Sequence, residues 1–444
     1  MNARLKYLRY VVVSSFWFIP AVLLLAAFVL AVLSALFDRS MQDTWTSELN
    51  WVFWVGPEGA RTILQVIAGS MIGATTLVFS MTLVALSLAS SQLGPRLLAI
   101  FRADRTTQVA LGVFVATLAY ALLMLRLVRT ETADAADFVP LAAVTVAQLL
   151  TLCSLGLLIY FIHHLAQLLE ADTIISHVGR DLDASVDTLF PKTGAPDRGT
   201  LHPANEEARS ERFVMVVTAR RAGYVETVDR QKLVALACEA KGLVELEVMP
   251  GDFLVPGQTL ARFWPLDRAT EDLKQAIRDS IAAGPKRTQA EDLEYAVNAL
   301  VEVALRALSP SLNDPFTAIA CVNRIGASLA LAISRQDPPV CHRDEGGTPR
   351  LLQPERGFVA LLEDGYDNIR RAAVGQPPVL VTLVRRLASL AELAADPERR
   401  AAIERQGEAV RRAVERHLSE PRDRQPVEQA LGRLEAKLRR WDEG

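Results

Sequence analysis

Two groups of side chains in this 444-residue chain have the types and spacing to do chemistry. The first is Gly69, Gly73, Thr76, Ser80, Ser87 and Ser91, which recur at steps of three, four or seven and therefore share one face of a helix. A row of hydroxyls and small side chains is what a polar conduit presents, and also what two helices present where their backbones approach closely. No ionisable residue sits at mid-depth in this run, which favours packing over a pore. The second group is Glu302, Arg306, Asn313, Asp314 and Arg324, with Asp292 upstream, arranged around Ser309-Pro310-Ser311-Leu312-Asn313-Asp314-Pro315. Carboxylates beside arginines form acid–base or anion sites. The same residues also suit a structural corner, with Asp314 as the N-cap of a new helix and Pro315 as its first residue. Structure is the favoured reading, because no nucleophile–base set, phosphate loop, zinc spacing or dinucleotide fingerprint accompanies the group. No catalytic residue, metal ligand or cofactor is assigned, and the chain reads as a non-enzyme rather than an enzyme.

Two weaker signals complete the inventory. His163, Gln167, Glu170 and His177 fall on one face if their helix is continuous, a pattern for metal binding or pH sensing, although the wet surface of a helix leaving a bilayer explains it as well. Cys341 and His342 are neighbours, a weak metal signal.

The elements that must position these groups divide into two kinds. Four runs, about 14–37, 62–93, 107–128 and 138–165, are nearly free of internal charge, and each reaches the roughly 20 residues that a helix needs to cross a bilayer. The first run is too long for a signal-peptide core and reads as a retained anchor. Arg4, Lys6 and Arg9 before it, and Arg96, Arg102 and Arg105 between the second and third runs, place both termini in the cytoplasm of a bacterial inner-membrane, multi-pass protein. Trp45, Trp51, Phe53 and Trp54 are interfacial anchors by composition. Cys153 lies within a span, and Cys238, Cys321 and Cys341, scattered without metal or redox spacing, suit a reducing compartment.

The expected fold class is therefore membrane α-helical: a four-helix transmembrane domain over 1–167, then a cytoplasmic α+β region. Within that region, 168–212 reads as a helical extension and linker, 213–266 as a small β module, and 267–444 as a helical array. In the β module Phe213–Val217, Gly223–Val225, Leu233–Ala237 and Leu243–Val248 read as short strands, followed by Pro-Gly turns at 250–251 and 256–257. It resembles the barrel-sandwich hybrid of biotinyl and lipoyl carrier domains through "GYV" and "PGDFLVPGQTLA", without a hairpin lysine to carry a prosthetic group. Asp337–Pro354 reads as a loop, and a basic last helix interleaved with glutamates reads as a solvated face, not a nucleic-acid surface.

Nearly end to end, the chain resembles the bacterial predicted membrane proteins grouped as domain-of-unknown-function family 2254. The marks are the basic N-terminus, "SQLGPR" at 91–96, "FIHH" at 161–164, "PGDF" at 250–253 and "RALSPSLNDPFTA" at 306–318. The family tends to have glycine where this chain has Ser311. The resemblance implies an integral inner-membrane protein with a soluble C-terminal portion, and no activity. The functional expectation is a homo-oligomeric, channel-like or scaffold assembly in contact with lipid, its small-molecule or ion ligand unassigned. The alternative is a membrane-anchored enzyme or ligand sensor with a site near Asn313 and Asp314.

Overall fold

The computed structural model describes residues 17–48, 56–93, 104–128, 139–192, 214–288 and 291–442. The basic N-terminal tail, the tryptophan-rich connection at 51–54, Arg96 and Arg102, and most of the 191–212 linker lie outside them. The chain falls into two compact units, Met1–Thr173 and Ile174–Gly444.

The first unit is built from α1 (Phe18–Glu48), α2 (Pro57–Leu93), α3 (Arg105–Leu125) and α4 (Leu141–Leu168). These four, together with the helix Pro315–Ile333 of the second unit, are the described helices long and apolar enough to cross a membrane. Helix α3 packs against each of the other three. Its Ala110, Phe114, Thr117, Ala121 and Met124 are buried at helical spacing. Gly112 faces α1, and a Cβ there would stand 2.7 Å from Leu23 Cδ1 and 3.0 Å from Pro20 Cα. Close helix approach therefore requires a hydrogen at this position.

Several buried polar groups inside this apolar bundle are matched to one another, since an unpaired one in hydrocarbon costs several kcal/mol. The buried Tyr120 hydroxyl donates to Ser34 Oγ (2.9 Å) and lies 3.2 Å from the Ala143 carbonyl, joining α1, α3 and α4. Thr117 and Ser154 hydroxyls meet at 3.2 Å. Helix α4 begins after Pro140, which offers no side-chain cap, and the Asp38 carboxylate of α1 fills that role by accepting from Ala142 N (2.9 Å) and Ala143 N (3.0 Å).

The second unit opens with most of α5 (Ala171–Leu189), which buries Ile174, Val178, Leu182 and Val186 along one stripe. Its β elements are β1 (Met215–Thr218), β2 (Gly223–Val228), β3 (Leu243–Leu246), β4 (Phe253–Leu254), β5 (Thr259–Trp264), β6 (Ile281–Gly284), β7 (Cys341–Arg343) and β8 (Pro349–Leu352). They form two open sheets, of order β1-β5-β3-β8-β7 and β4-β2-β6, where the sequence suggests a barrel-sandwich module.

Two differences from the sequence expectation have local causes. Residues 230–239 form a helix, α6 (Arg230–Glu239), in place of the expected Leu233–Ala237 strand, because Asp229 accepts from Lys232 N (3.0 Å) and Leu233 and Ala237 repeat at the helical interval of four. The expected loop at 337–354 contains the β7–β8 hairpin, whose turn is held by Asp344 accepting from Thr348 N (2.9 Å) and Arg350 Nε (2.8 Å), with Gly347 at φ +79°. Strand β8 then runs parallel to β3, with Val244 opposite Leu351, and β6 pairs with β2. Strands from beyond residue 266 thus complete both sheets.

Helix α7 (Glu271–Asp279) covers the sheet region, and the array follows: α8 (Leu293–Ala307), α9 (Pro315–Ile333), α10 (Phe358–Ala372), α11 (Pro377–Leu393), α12 (Pro397–His417) and α13 (Pro421–Asp442). Helix α9 packs among α8, α10 and α11, burying Cys321, Val322, Ile325 and Leu329.

Candidate functional site

The two groups that open the sequence reading have different fates. On α2, Gly73, Ser80 and Ser87 form one series at steps of seven, while Met71, Val78 and Ala85 form another two residues behind it. A two-residue offset is about 200° around a helix, and the burial follows: Met71, Val78 and Ala85 are buried, while Gly69, Gly73, Thr76, Ser80 and Ser87 are exposed. A Cβ on Gly69 or Gly73 would meet nothing within 4 Å. The stripe therefore lies opposite the face that packs into its own bundle. The side chain of Ser91 lies outside the described residues.

The second group does not converge. Asp292 caps the N-terminus of α8, accepting from Tyr295 N (2.9 Å) and pairing with Arg287, about 22 Å of helix away from the corner at 1.5 Å per residue. Arg324 lies well inside α9 and pairs with Asp183 of α5, whose other oxygen accepts from Ser328 Oγ (2.6 Å). Glu302 and Arg306 are half-buried on α8.

At the corner itself the polar groups make the turn. Ser309 Oγ donates to the Arg306 carbonyl (2.6 Å), Asn313 N to Ser309 O (2.9 Å), and Asp314 N to Ala307 O (2.8 Å). Asp314 accepts from Phe316 N (3.1 Å), Thr317 N (3.2 Å) and the Thr317 hydroxyl (2.5 Å). The Thr317 hydroxyl and these backbone donors hold its carboxyl below the ordinary value. The left-handed residue is Asn313, at φ +46°, two positions beyond Ser311, and its side-chain oxygen accepts from Gln376 Nε2 (2.7 Å).

This geometry predicts that Asn313→Ala destabilises the second unit by about 1–2 kcal/mol, since an L side chain without a local polar partner strains in that region. Asn313→Gly should change stability less than Asn313→Ala. Thermal melts of the two variants check the order, and the reverse order would refute it.

The structure assembles a further set of groups that sequence spacing does not reveal. A cleft of about 810 Å³ in the second unit is lined by Arg335, Asp337, Glu355, Gly357, Glu363 and Arg399, among others. Arg399 of α12 is 6% exposed and reaches the C-terminal end of α9, donating to Ile333 O (2.9 Å) and Arg335 O (2.7 Å), while its other nitrogen pairs with Asp337 (2.9 Å). Asp337 also accepts from Phe358 N (2.7 Å), the first residue of α10. Arg335 pairs with Asp187 of α5. Glu355 is different: its Oε2 is buried with no hydrogen-bond partner among the described residues. Burial, and then the nearby Asp337 carboxylate, push its carboxyl up to about 8, against the opposing pull of Arg230. These residues come from separate segments, each joined to the others only by the fold, so no periodicity or motif exposes them.

In the first unit, His164 Nε2 lies 3.0 Å from the Asp104 carboxylate oxygen Oδ1, and Asp104 is the residue that caps α3 through Thr107 N (2.8 Å). This fixes the end of α4 to the start of α3. Helix α4 stops at Leu168 and α5 starts at Ala171, so His163 and Gln167 belong to one helix and His177 to the next. Among the described residues no three His, Cys, Asp or Glu side chains are grouped to hold a metal ion.

The comparisons agree with the membrane character of this architecture. The family model described as "Predicted membrane protein (DUF2254)" matches residues 13–389. An uncharacterised protein of Mycobacterium tuberculosis is 34% identical over 381 residues, covering 85% of this chain and 72% of the relative. An uncharacterised protein of Mycobacterium bovis matches with the same figures. No solved structure matches.

Proposed function

The chain belongs to the DUF2254 family of predicted membrane proteins, and from that premise we propose that it is a homo-oligomeric inner-membrane assembly, channel-like or scaffolding, whose subunits meet through the small-residue face of α2. Helices α1 to α4 are its four spans, both termini lie in the cytoplasm, and lipid surrounds the outward apolar side chains such as Phe28, Leu152 and Ile159. The fifth apolar helix, α9, is assigned to the soluble array because half of its most apolar window is buried among neighbouring helices, which accounts for its composition without a bilayer.

The observation that carries the assembly is the position of Gly69, Gly73, Thr76, Ser80 and Ser87 opposite the bundle core. The described residues of their own chain leave this face uncovered, and small residues give close contact between helices their advantage in lipid. A ring of such faces lines a conduit with hydroxyls. Gly69→Leu with Gly73→Leu is expected to reduce the detergent-solubilised particle to a smaller oligomer or monomer in light scattering, and an unchanged mass would overturn the interface. Ser80→Leu with Ser87→Leu is expected to abolish current in reconstituted bilayers. Absent wild-type currents, or currents that the substitutions leave unchanged, would overturn the channel version.

A second reading, a membrane-anchored ligand sensor, is favoured by one observation, the buried and unpartnered Glu355 oxygen beside the cleft. The Asn313–Asp314 corner supports it less, since its polar groups are occupied by the turn.

A further inference from the structure

Helices α10 and α12 run parallel: Arg399 stacks over Phe358 near their starts, and Gln406 donates to Asp367 (2.8 Å) further along. The C-terminal end of α10 therefore lies beside the last turns of α12, and between them lies a groove of about 300 Å³ whose charged or titratable lining residues are Arg370, Arg371, Arg412, Arg416 and His417. No carboxylate lines it among the described residues. Asp367, one turn back on α10, pairs with Arg371 (3.0 Å) and Arg370 (3.5 Å). Arg412, Arg416 and His417 make no ion pair among the described residues, whereas their neighbour Arg411 is paired with Glu408 and Glu435. Arg370 Nε is buried without a hydrogen-bond partner among the described residues.

Cations near a helix C-terminus are ordinarily explained by the helix dipole, and here that explanation falls short. Each helix end carries about half a negative charge, so the two ends offset about one of the four guanidinium charges, and Asp367 offsets one more. About two positive charges remain in one groove. Arg412 and Arg416 are one turn apart on the same face, a like-charge arrangement that disfavours the helix unless an anion lies between them. Planar guanidinium forks match phosphate oxygens in pairs. Among the described residues the other lining residues are Val374, Ala409 and Ala413, a small apolar contribution that fits a headgroup or compact anion and not an acyl chain.

We propose that the groove between the C-terminal ends of α10 and α12 is a binding site for a phosphate-bearing anion, with Arg370, Arg371, Arg412 and Arg416 as its ligands. The phosphate comes either from a soluble compound or from the headgroup of an anionic lipid. The site shares no residue with the α2 face or with the Glu355 cleft, and it stands without either.

The test uses the full chain in phosphatidylcholine nanodiscs, titrated calorimetrically with inorganic pyrophosphate and, separately, with short-chain phosphatidylglycerol. At least one probe is expected to bind saturably, and Arg412→Gln with Arg416→Gln is expected to weaken it by about ten-fold or more, as loss of charge-assisted hydrogen bonds requires. Tighter binding of pyrophosphate identifies a soluble source, and tighter binding of the lipid a membrane source. Both arginines are exposed and form no ion pair among the described residues, so the fold should survive. Arg412→Lys with Arg416→Lys keeps the charge and removes the fork, and intermediate affinity is expected. Failure of both probes to bind the wild type, or equal binding by the wild type and the Gln variant, would overturn the site.

Discussion

Asp38→Ala is expected to destabilise the membrane bundle by about 2–4 kcal/mol. The carboxylate accepts from two backbone donors at the start of α4, Ala142 N and Ala143 N, and hydrogen bonds to a charged group contribute roughly 1.5–3 kcal/mol each without adding fully. The site is 6% exposed, so water replaces the lost acceptor poorly, and Pro140 has no side chain able to do so. The donors would remain buried and unpaired at a helix end, which is costlier than the loss of the bonds alone. Asp38→Asn retains one accepting oxygen and should fall between the wild type and Ala. Unfolding of the purified protein in mixed micelles with increasing SDS measures the series. Coincident curves for all three would show that α4 does not depend on α1 for its cap.

The contrast between Asp38 and Asp314 shows what the sequence makes legible. Asp314 caps a helix that begins at the next residue, so the Asn-Asp-Pro string discloses both the corner and its direction. Asp38 caps a helix 104 residues later, and nothing in the spacing of an acidic residue at the end of an apolar run reveals that. The four long apolar helices were legible for the same local reason, since each contains its own hydropathy signal. Short runs were not. Leu233–Ala237 is equally apolar as strand or helix, and the local cap at Asp229 decides for helix. The β8 strand looked like loop because its partner, β3, lies about a hundred residues earlier in the chain.

Functional groups follow the same division. The stripe on α2 was visible because its residues lie on one helix, but only the structure shows that it faces away from the bundle. Each arginine of the α10–α12 groove, taken alone, is an ordinary charge on a helix. Their convergence depends on two helices lying parallel, a relation that neither helix encodes alone.

Glu355→Gln is expected to raise the stability of the second unit at alkaline pH and to flatten its pH dependence. The carboxyl is pushed from the ordinary 4.5 up to about 8 in the fold. Between those values the folded chain holds a proton that the unfolded chain has released, so the folded state binds more protons and stability falls as pH rises. The slope is at most roughly 1.4 kcal/mol per pH unit. Below the unfolded value the group contributes no penalty, and above about 8 the whole penalty is present. Local relaxation and entry of water around a partly exposed side chain reduce the integrated effect to about 2–3 kcal/mol. Glutamine keeps the size and a hydrogen-bonding end while removing the titration, so the variant should match the wild type near pH 5 and exceed it increasingly towards pH 8.5. Denaturant midpoints of the full chain in detergent across that range test the difference. The substitution leaves the Asp337–Arg399 pair intact, which separates the effect of the Glu355 proton from the loss of a buried ion pair. Parallel pH profiles for the two proteins would exclude Glu355 as the group that makes this unit sensitive to alkali.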